Sequence, residues 1–228
     1  SAEDGIAPCS QHEGVVDDWH QLLNHGLHIT AMGNSDSHGT TAEPGIPRNY
    51  VRSSTDNPAA IDKREISRNI QDMHVVASTG PFVTVKIQEA SVGDTTHVAG
   101  AKVRLHIKVQ TPSWFGVSRV EVYQNGRLVH EANPDLPVTA IVDFDETIEL
   151  DKPDSDAFYT VSTFGLRSED FMAPVYHTIA LGELSLDKIT SLAFANLGAL
   201  GAFLGSTAQI PDYFPAIPYA MTNPIFVD

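Results

Sequence analysis

A single cysteine, Cys9, is the only thiol in this chain of 228 residues. One thiol cannot close a disulfide within the chain or build a cysteine-rich zinc site, so both frameworks are excluded. Basic residues are scarce too: 14 Lys and Arg face 29 Asp and Glu, a formal net charge of −15. Phosphate backbones are held by a surplus of Lys and Arg, so nucleic acid is excluded as a partner class. An anionic small molecule is not excluded, because a bound cation inverts the local field. A clean transmembrane run is missing as well. The longest uncharged stretch, 189–211, is broken by Asn196, Gly198, Gly201, Gly205 and several hydroxyls. A spanning helix needs about 20 predominantly apolar residues, so this stretch reads as a buried or interface helix. What remains is ordinary for a globular protein: 42% hydrophobic and 19% charged residues, enough to build a core.

The pattern along the chain changes character twice. Val16, Trp19, Leu22 and Leu23 share one helical face, Asp17 and Asp18 suit a first turn, and Gly26 is a stop signal. "LHITAM" (27–32) then alternates and predicts a strand. "NYVR" predicts another short strand. In "DKREISRNIQDM", Asp62 with Glu65 three residues on predicts a capping box, and Ile66, Ile70 and Met73 repeat at helical spacing. "VVAS" reads as a buried strand, closed by a turn at Gly80-Pro81. From Phe82 the period becomes two. Val103, Leu105, Ile107 and Val109 point one way, and Asn125-Gly126 between two strand-like runs is a strong hairpin signal. "TIEL" and "FYTVSTF" add strands. The expectation is an antiparallel β-sandwich over about 82–181. Residues 182–228 hold the apolar run and a tail carrying Pro211, Pro215, Pro218 and Pro224. Proline removes a ladder donor, so the tail is expected to wrap a surface as ordered coil rather than to supply a central strand.

The chemistry concentrates at "AMGNSDSHGT". In extended backbone, residues i and i+2 face the same side, so Asp36 and His38 after a strand would aim a carboxylate and an imidazole at one spot. Mixed oxygen and nitrogen donors suit zinc, manganese or iron, and Gly33 and Gly39 let the backbone turn tightly. In α/β barrels the reactive groups sit at the C-terminal ends of strands. A polar turn that happens to hold a histidine is the competing reading. A catalytic metal also needs three or more protein ligands, which two residues do not supply.

Taken together, "DDWHQLLNHGLHITAMGNSDSHG", "GIPRNYV", "VVASTGPFV" and the closing "TNPIFVD" resemble the C-terminal end of a polymerase and histidinol phosphatase (PHP) domain. The resemblance is nearest to its carbaryl-hydrolase-like (CehA/McbA) branch, and it covers about residues 16–82 and the terminal motif. It implies an α+β chain: a truncated C-terminal piece of a (β/α)7 barrel over 1–81, the β-sandwich over 82–181, and a helical and coil tail over 182–228. It implies two or three divalent metals (Zn, Mn or Fe), with Asp36 on one and His38 on a neighbour. These would polarise an ester or phosphoester and activate water. Arg48, in the Gly-x-Pro-Arg loop, is implied to hold substrate charge, against a structural ion pair as the plainer reading. It also implies a bacterial envelope or extracellular setting. The His-x-His motif that opens such domains is absent from this sequence. His12, His20, His25 and His28 are not convincing replacements, and His74, His97, His106, His130 and His177 fall outside the motif. The expectation is therefore the closing portion of a metal-dependent hydrolase acting on a small ester or phosphoester, inactive by itself. Two other classes stay open. The sandwich could bind carbohydrate or protein through Trp114 and Phe115, or the chain could be purely structural, with self-association through an exposed apolar surface.

Overall fold

The computed structural model describes residues 14–36, 45–113, 115–134, 140–165, 172–174, 213–215 and 217–228. Cys9, His12, His38, Trp114, His177 and the run 189–211 lie outside them. The described chain is mostly antiparallel β-structure with few helices, consistent with a β-sandwich.

Helix α1 (Val15–Asn24) forms where the apolar face predicted it. Its start is held by Asp17, whose Oδ2 accepts the Gly14 N–H at 2.8 Å. Its end is a Schellman motif: Gly26 N–H reaches the Leu23 carbonyl at 2.9 Å and Leu27 N–H the Leu22 carbonyl at 3.0 Å. Gly26 sits at φ +75°, a left-handed position that glycine occupies without Cβ strain. Strand β1 (Arg48–Val51) follows, then a 3₁₀ turn (Pro58–Ala60) and α2 (Lys63–Gln71). Only half of the expected capping box forms at α2. Asp62 Oδ1 accepts the Arg64 N–H at 2.9 Å, but Glu65 turns away and accepts the Ser54 N–H and hydroxyl at 2.6 and 2.8 Å. The carboxylate thus ties the helix to the loop before it.

The larger sheet runs in the order β1, β2 (Val75–Ser78), β13 (Tyr219–Thr222), β10 (Ala157–Phe164), β14 (Ile225–Val227), β5 (Thr95–Thr96). On the other side of β10 lies β7 (Arg119–Gln124), paired with β8 (Arg127–Ala132). Their hairpin turns on Asn125 (φ +51°) and Gly126 (φ +78°), both left-handed as a type I′ turn requires. The second sheet has four strands in the order β4 (Ala90–Ser91), β3 (Phe82–Ile87), β6 (Lys102–Gln110), β9 (Val142–Asp151). A short separate pair joins β11 (Met172–Pro174) to β12 (Tyr213–Pro215).

The two large sheets enclose one core. Val83, Val85 and Ile87 of β3, and Val103, Leu105, Ile107 and Val109 of β6, cluster with Val120 and Val122 of β7, Tyr159 and Val161 of β10, Ala220 of β13, and Ile225 and Val227 of β14. A second cluster lies on the opposite face of the large sheet. There Trp19 and Leu23 of α1 meet Met73 and Phe158, with Met221 and Phe226 alongside. Strand β10 is covered on both faces and buried throughout. The outer face of the small sheet carries cross-strand polar pairs: Lys102–Asp151 at 2.7 Å and Arg104–Glu149 at 2.6 Å in register, and His106–Asp145 at 2.8 Å on the diagonal. These place His106 on the polar side of its strand, as the alternation predicts.

Two expectations are corrected. The proline-rich tail supplies central strands after all: β13 and β14 sit on the same side of β10, pairing with its two halves. The prolines do not forbid this because Pro218 precedes β13 and Pro224 falls in the gap between the two strands, so neither removes a ladder donor. The stretch 27–32 is not a ladder strand, because its partners are side chains rather than backbone. The sheets also take strands from 48–78 and 219–227, beyond the 82–181 interval.

Candidate functional site

The residues leading to Asp36 are held from one side in a period of two. Trp19 Nε1 donates to the Ile29 carbonyl at 2.7 Å. Asn223 then brackets Ala31: its Oδ1 accepts the Ala31 N–H and its Nδ2 donates to the Ala31 carbonyl, both at 2.8 Å. Asn49 does the same to Gly33, at 2.9 and 2.8 Å. A carboxamide presents the same donor–acceptor pair as a peptide group, so each asparagine stands in for one residue of a neighbouring strand. Thr30 completes the attachment by donating its hydroxyl to the Ile70 carbonyl at 2.6 Å. Residues 29, 31 and 33 thus face the protein. The backbone groups of the alternate residues 28, 30, 32 and 34 make no backbone hydrogen bond among the described residues. Leu27, Ile29 and Met32 are half-exposed along this run.

Sequence reasoning missed both asparagines. Asn223 is 1% exposed and also donates to the Val75 carbonyl at 2.9 Å. Its signal was present in "TNPIFVD": a buried asparagine beside a strand-breaking proline has to spend its amide on backbone.

Asp36 stands at the end of this held segment, exposed, at φ +48°. Aspartate tolerates that left-handed geometry better than most residues, and there the chain leaves the extended conformation. The two-residue same-side argument therefore does not carry across Asp36 as it does from 29 to 33. His38 lies outside the described residues. Arg48 is exposed at the start of β1, and its Nε donates to the Gly45 carbonyl at 2.6 Å, a contact within its own loop. Among the described residues, no three His, Cys, Asp or Glu side chains converge as a metal centre.

The other histidines have structural surroundings. His20 is buried in α1, its Nε2 3.1 Å from Thr160 Oγ1 and its ring among Trp19, Tyr123 and Phe158. Burial lowers its pKa to about 4, with Asp17 opposing. Its position accounts for the bare Gly126: a Cβ there would fall 2.8 Å from His20 Cβ. His28 is exposed and stacks on Phe226 at 4.6 Å. His74 Nδ1 lies 2.7 Å from the Val92 carbonyl, beside the paired Arg52 and Asp94, which join at 2.7 Å. Burial alone would raise the Asp94 pKa, but Arg52 and the Ser91 N–H and hydroxyl outweigh it and hold the carboxyl at about 2.

Phe115 is buried at 5% exposure, so its ring does not serve as an open carbohydrate platform. Trp114 lies outside the described residues. No helix among the described residues is long and apolar enough to cross a membrane.

Comparison of the chain with protein-family models, with curated proteins and with solved structures finds no match.

Proposed function

We propose that this chain contributes to a divalent-metal-dependent hydrolase of ester or phosphoester bonds, of the PHP type, with Asp36 and His38 as two of its metal ligands and Arg48 near the substrate. The observation that supports the reading best is the segment leading into Asp36. It is held on one edge by Trp19, Asn223 and Asn49, while the backbone groups of residues 28, 30, 32 and 34 make no backbone hydrogen bond among the described residues. Such an edge suits a strand of a sheet larger than the one described, and a carboxylate at the end of such a strand suits a metal-bearing barrel.

Asp36 and His38 are a carboxylate and an imidazole, donors that fit Zn, Mn or Fe. Bound there, such an ion would polarise the scissile bond and lower the pKa of water. The chain's own part is to fix the Asp36 carboxylate in place and to present Arg48 to a negatively charged group. Catalysis needs further ligands, which would come from outside the described residues. Were the undescribed residues to supply none of them, the 228-residue chain alone would be inactive.

The test is hydrolysis of a phosphodiester and of a carboxylic ester with added Mn²⁺ or Zn²⁺. A polypeptide that carries this chain with its complete ligand set should turn over one of them and lose that activity in Asp36→Ala and in His38→Ala. Activity untouched by both substitutions would overturn the assignment.

A further inference from the structure

The ladder between β6 and β9 slips by one residue at its end. Val109 pairs with Phe144 and Gln110 with Val142, which leaves Asp143 between them as an extra, unpaired residue. Such a bulge re-aims the side chain it inserts. Here it turns Asp143 inward, 5% exposed, on a strand whose next aspartate, Asp145, points to solvent and pairs with His106 and Lys108. The inserted carboxyl meets the loop 111–117. Val117 N–H donates to Asp143 Oδ2 at 2.7 Å. Thr111 Oγ1 lies 3.0 Å from Oδ1, 2.9 Å from Oδ2, and 2.9 Å from the Phe115 carbonyl oxygen. The Gly116 backbone closes the remaining side; a Cβ there would touch Oδ2 at 3.4 Å. The basic side chains of adjoining elements are engaged elsewhere, Lys108 and His106 with Asp145 and Arg119 with Glu121. Asp143 has no ion pair among the described residues.

The protons can be counted. Thr111 has one hydroxyl hydrogen and faces three oxygens, and the Phe115 carbonyl can only accept. With an ionised Asp143, that one hydrogen serves either the carboxylate or the carbonyl, and a buried charge is left with one uncontested donor, Val117. With a protonated Asp143 a second hydrogen enters, and the carbonyl and both carboxyl oxygens each take part in a hydrogen bond, the Thr111 Oγ1–Oδ2 approach alone being left without one. Oδ1–H donates to Thr111 Oγ1, Thr111 donates to the Phe115 carbonyl, and Oδ2 accepts from Val117. We infer that Asp143 holds a proton in the folded chain and acts as a hydrogen-bond donor, making the bulge a clasp between Thr111 and residues 115–117 that ionisation releases. Burial acts in the same direction, raising the carboxyl above its ordinary range against the opposing pull of the Val117 N–H and the Thr111 hydroxyl. A folded carboxyl held above its unfolded pKa is stabilising while protonated, and that contribution is lost as pH rises through the folded value. The contacts of Asp143 with Thr111 and Val117 are thus kept below its folded pKa and loosened above it.

The experiment follows the side-chain carboxyl carbons of Asp143 and Asp145 by NMR across pH in the 228-residue chain, together with exchange of the Val117 amide. Asp143 should stay protonated well after Asp145, whose carboxyl is lowered by His106 and Lys108, has ionised. Val117 exchange, corrected for its intrinsic pH dependence, should accelerate as Asp143 titrates. Asp143→Asn keeps one donor and one acceptor, so it should retain Val117 protection and abolish the pH dependence. Asp143→Ala should speed Val117 exchange roughly tenfold, the loss of about one hydrogen bond. Titration of Asp143 together with or below Asp145 would overturn the inference, and the wild-type chain alone can show it. So would an Asp143→Asn variant as unprotected as Asp143→Ala.

Discussion

Replacing Asn223 by alanine tests the strand-surrogate account at its most buried point. The side chain makes three hydrogen bonds, with Ala31 N–H, the Ala31 carbonyl and the Val75 carbonyl, at 2.8 to 2.9 Å. A hydrogen bond in a folded protein is worth about 1 kcal/mol net, so an upper figure is about 3 kcal/mol. Two features reduce it. The Val75 carbonyl keeps the Asn223 backbone N–H at 3.2 Å, and Ala31 is only half-buried, so water can reach its freed groups. The expected loss is about 2 kcal/mol, measured as the shift of the urea midpoint at constant slope. Asn223→Asp sharpens the test. It keeps the shape and the acceptor facing Ala31 N–H, but sets a carboxylate oxygen against two carbonyls in a buried site. That variant should be worse than alanine at neutral pH and recover as the pH is lowered and the new carboxyl protonates. Exchange of the Ala31 amide should rise in both variants while Val103, deep in the sandwich core, stays protected. A loss under about 0.5 kcal/mol, the ordinary range for surface substitutions, or an unchanged Ala31 exchange rate, would refute the reasoning.

Other predictions follow from buried polar groups. Tyr159 is 1% exposed in the core, its hydroxyl without a partner among the described residues and its pKa raised by burial to about 12; Tyr159→Phe should raise stability by about 1 kcal/mol in urea unfolding. His20 is lowered by burial to about 4, so its neutral form is favoured by folding. Its contribution is complete above the unfolded pKa of about 6.5 and is lost as pH falls from there toward 4. Urea unfolding should show a pH-dependent loss of up to about 3 kcal/mol over that window, absent in His20→Phe. Arg52→Ala should move the Asp94 carboxyl up from about 2 toward its ordinary range, read from its side-chain NMR titration.

The sandwich was legible because β3 and β6 alternate cleanly. Val103, Leu105, Ile107 and Val109 are all fully buried, and Asn125-Gly126 turns as its composition requires. The tail misled because proline was weighed by number rather than by position: Pro218 and Pro224 bound short proline-free runs that fit the ladder. The stretch 27–32 misled in a subtler way. Its alternation is real and its one-sided hydrogen bonding is strand-like, but the partners come from positions 49 and 223, far away in sequence. The Asp143 bulge could not be read from pattern either. A slip of one residue shows only once both strands are placed, and composition assigns an aspartate on an edge strand to solvent. Of the proposed metal ligands, the structure describes only Asp36, at the end of a well-anchored segment and at a positive φ.

The most direct test of the metal proposal is a titration of the 228-residue chain with Mn²⁺, followed by paramagnetic broadening of backbone amides. The account predicts weak binding with the strongest broadening around residues 34–39, abolished in Asp36→Ala/His38→Ala while the rest of the spectrum is unchanged. Broadening spread over the acidic surface and indifferent to that double substitution would contradict it.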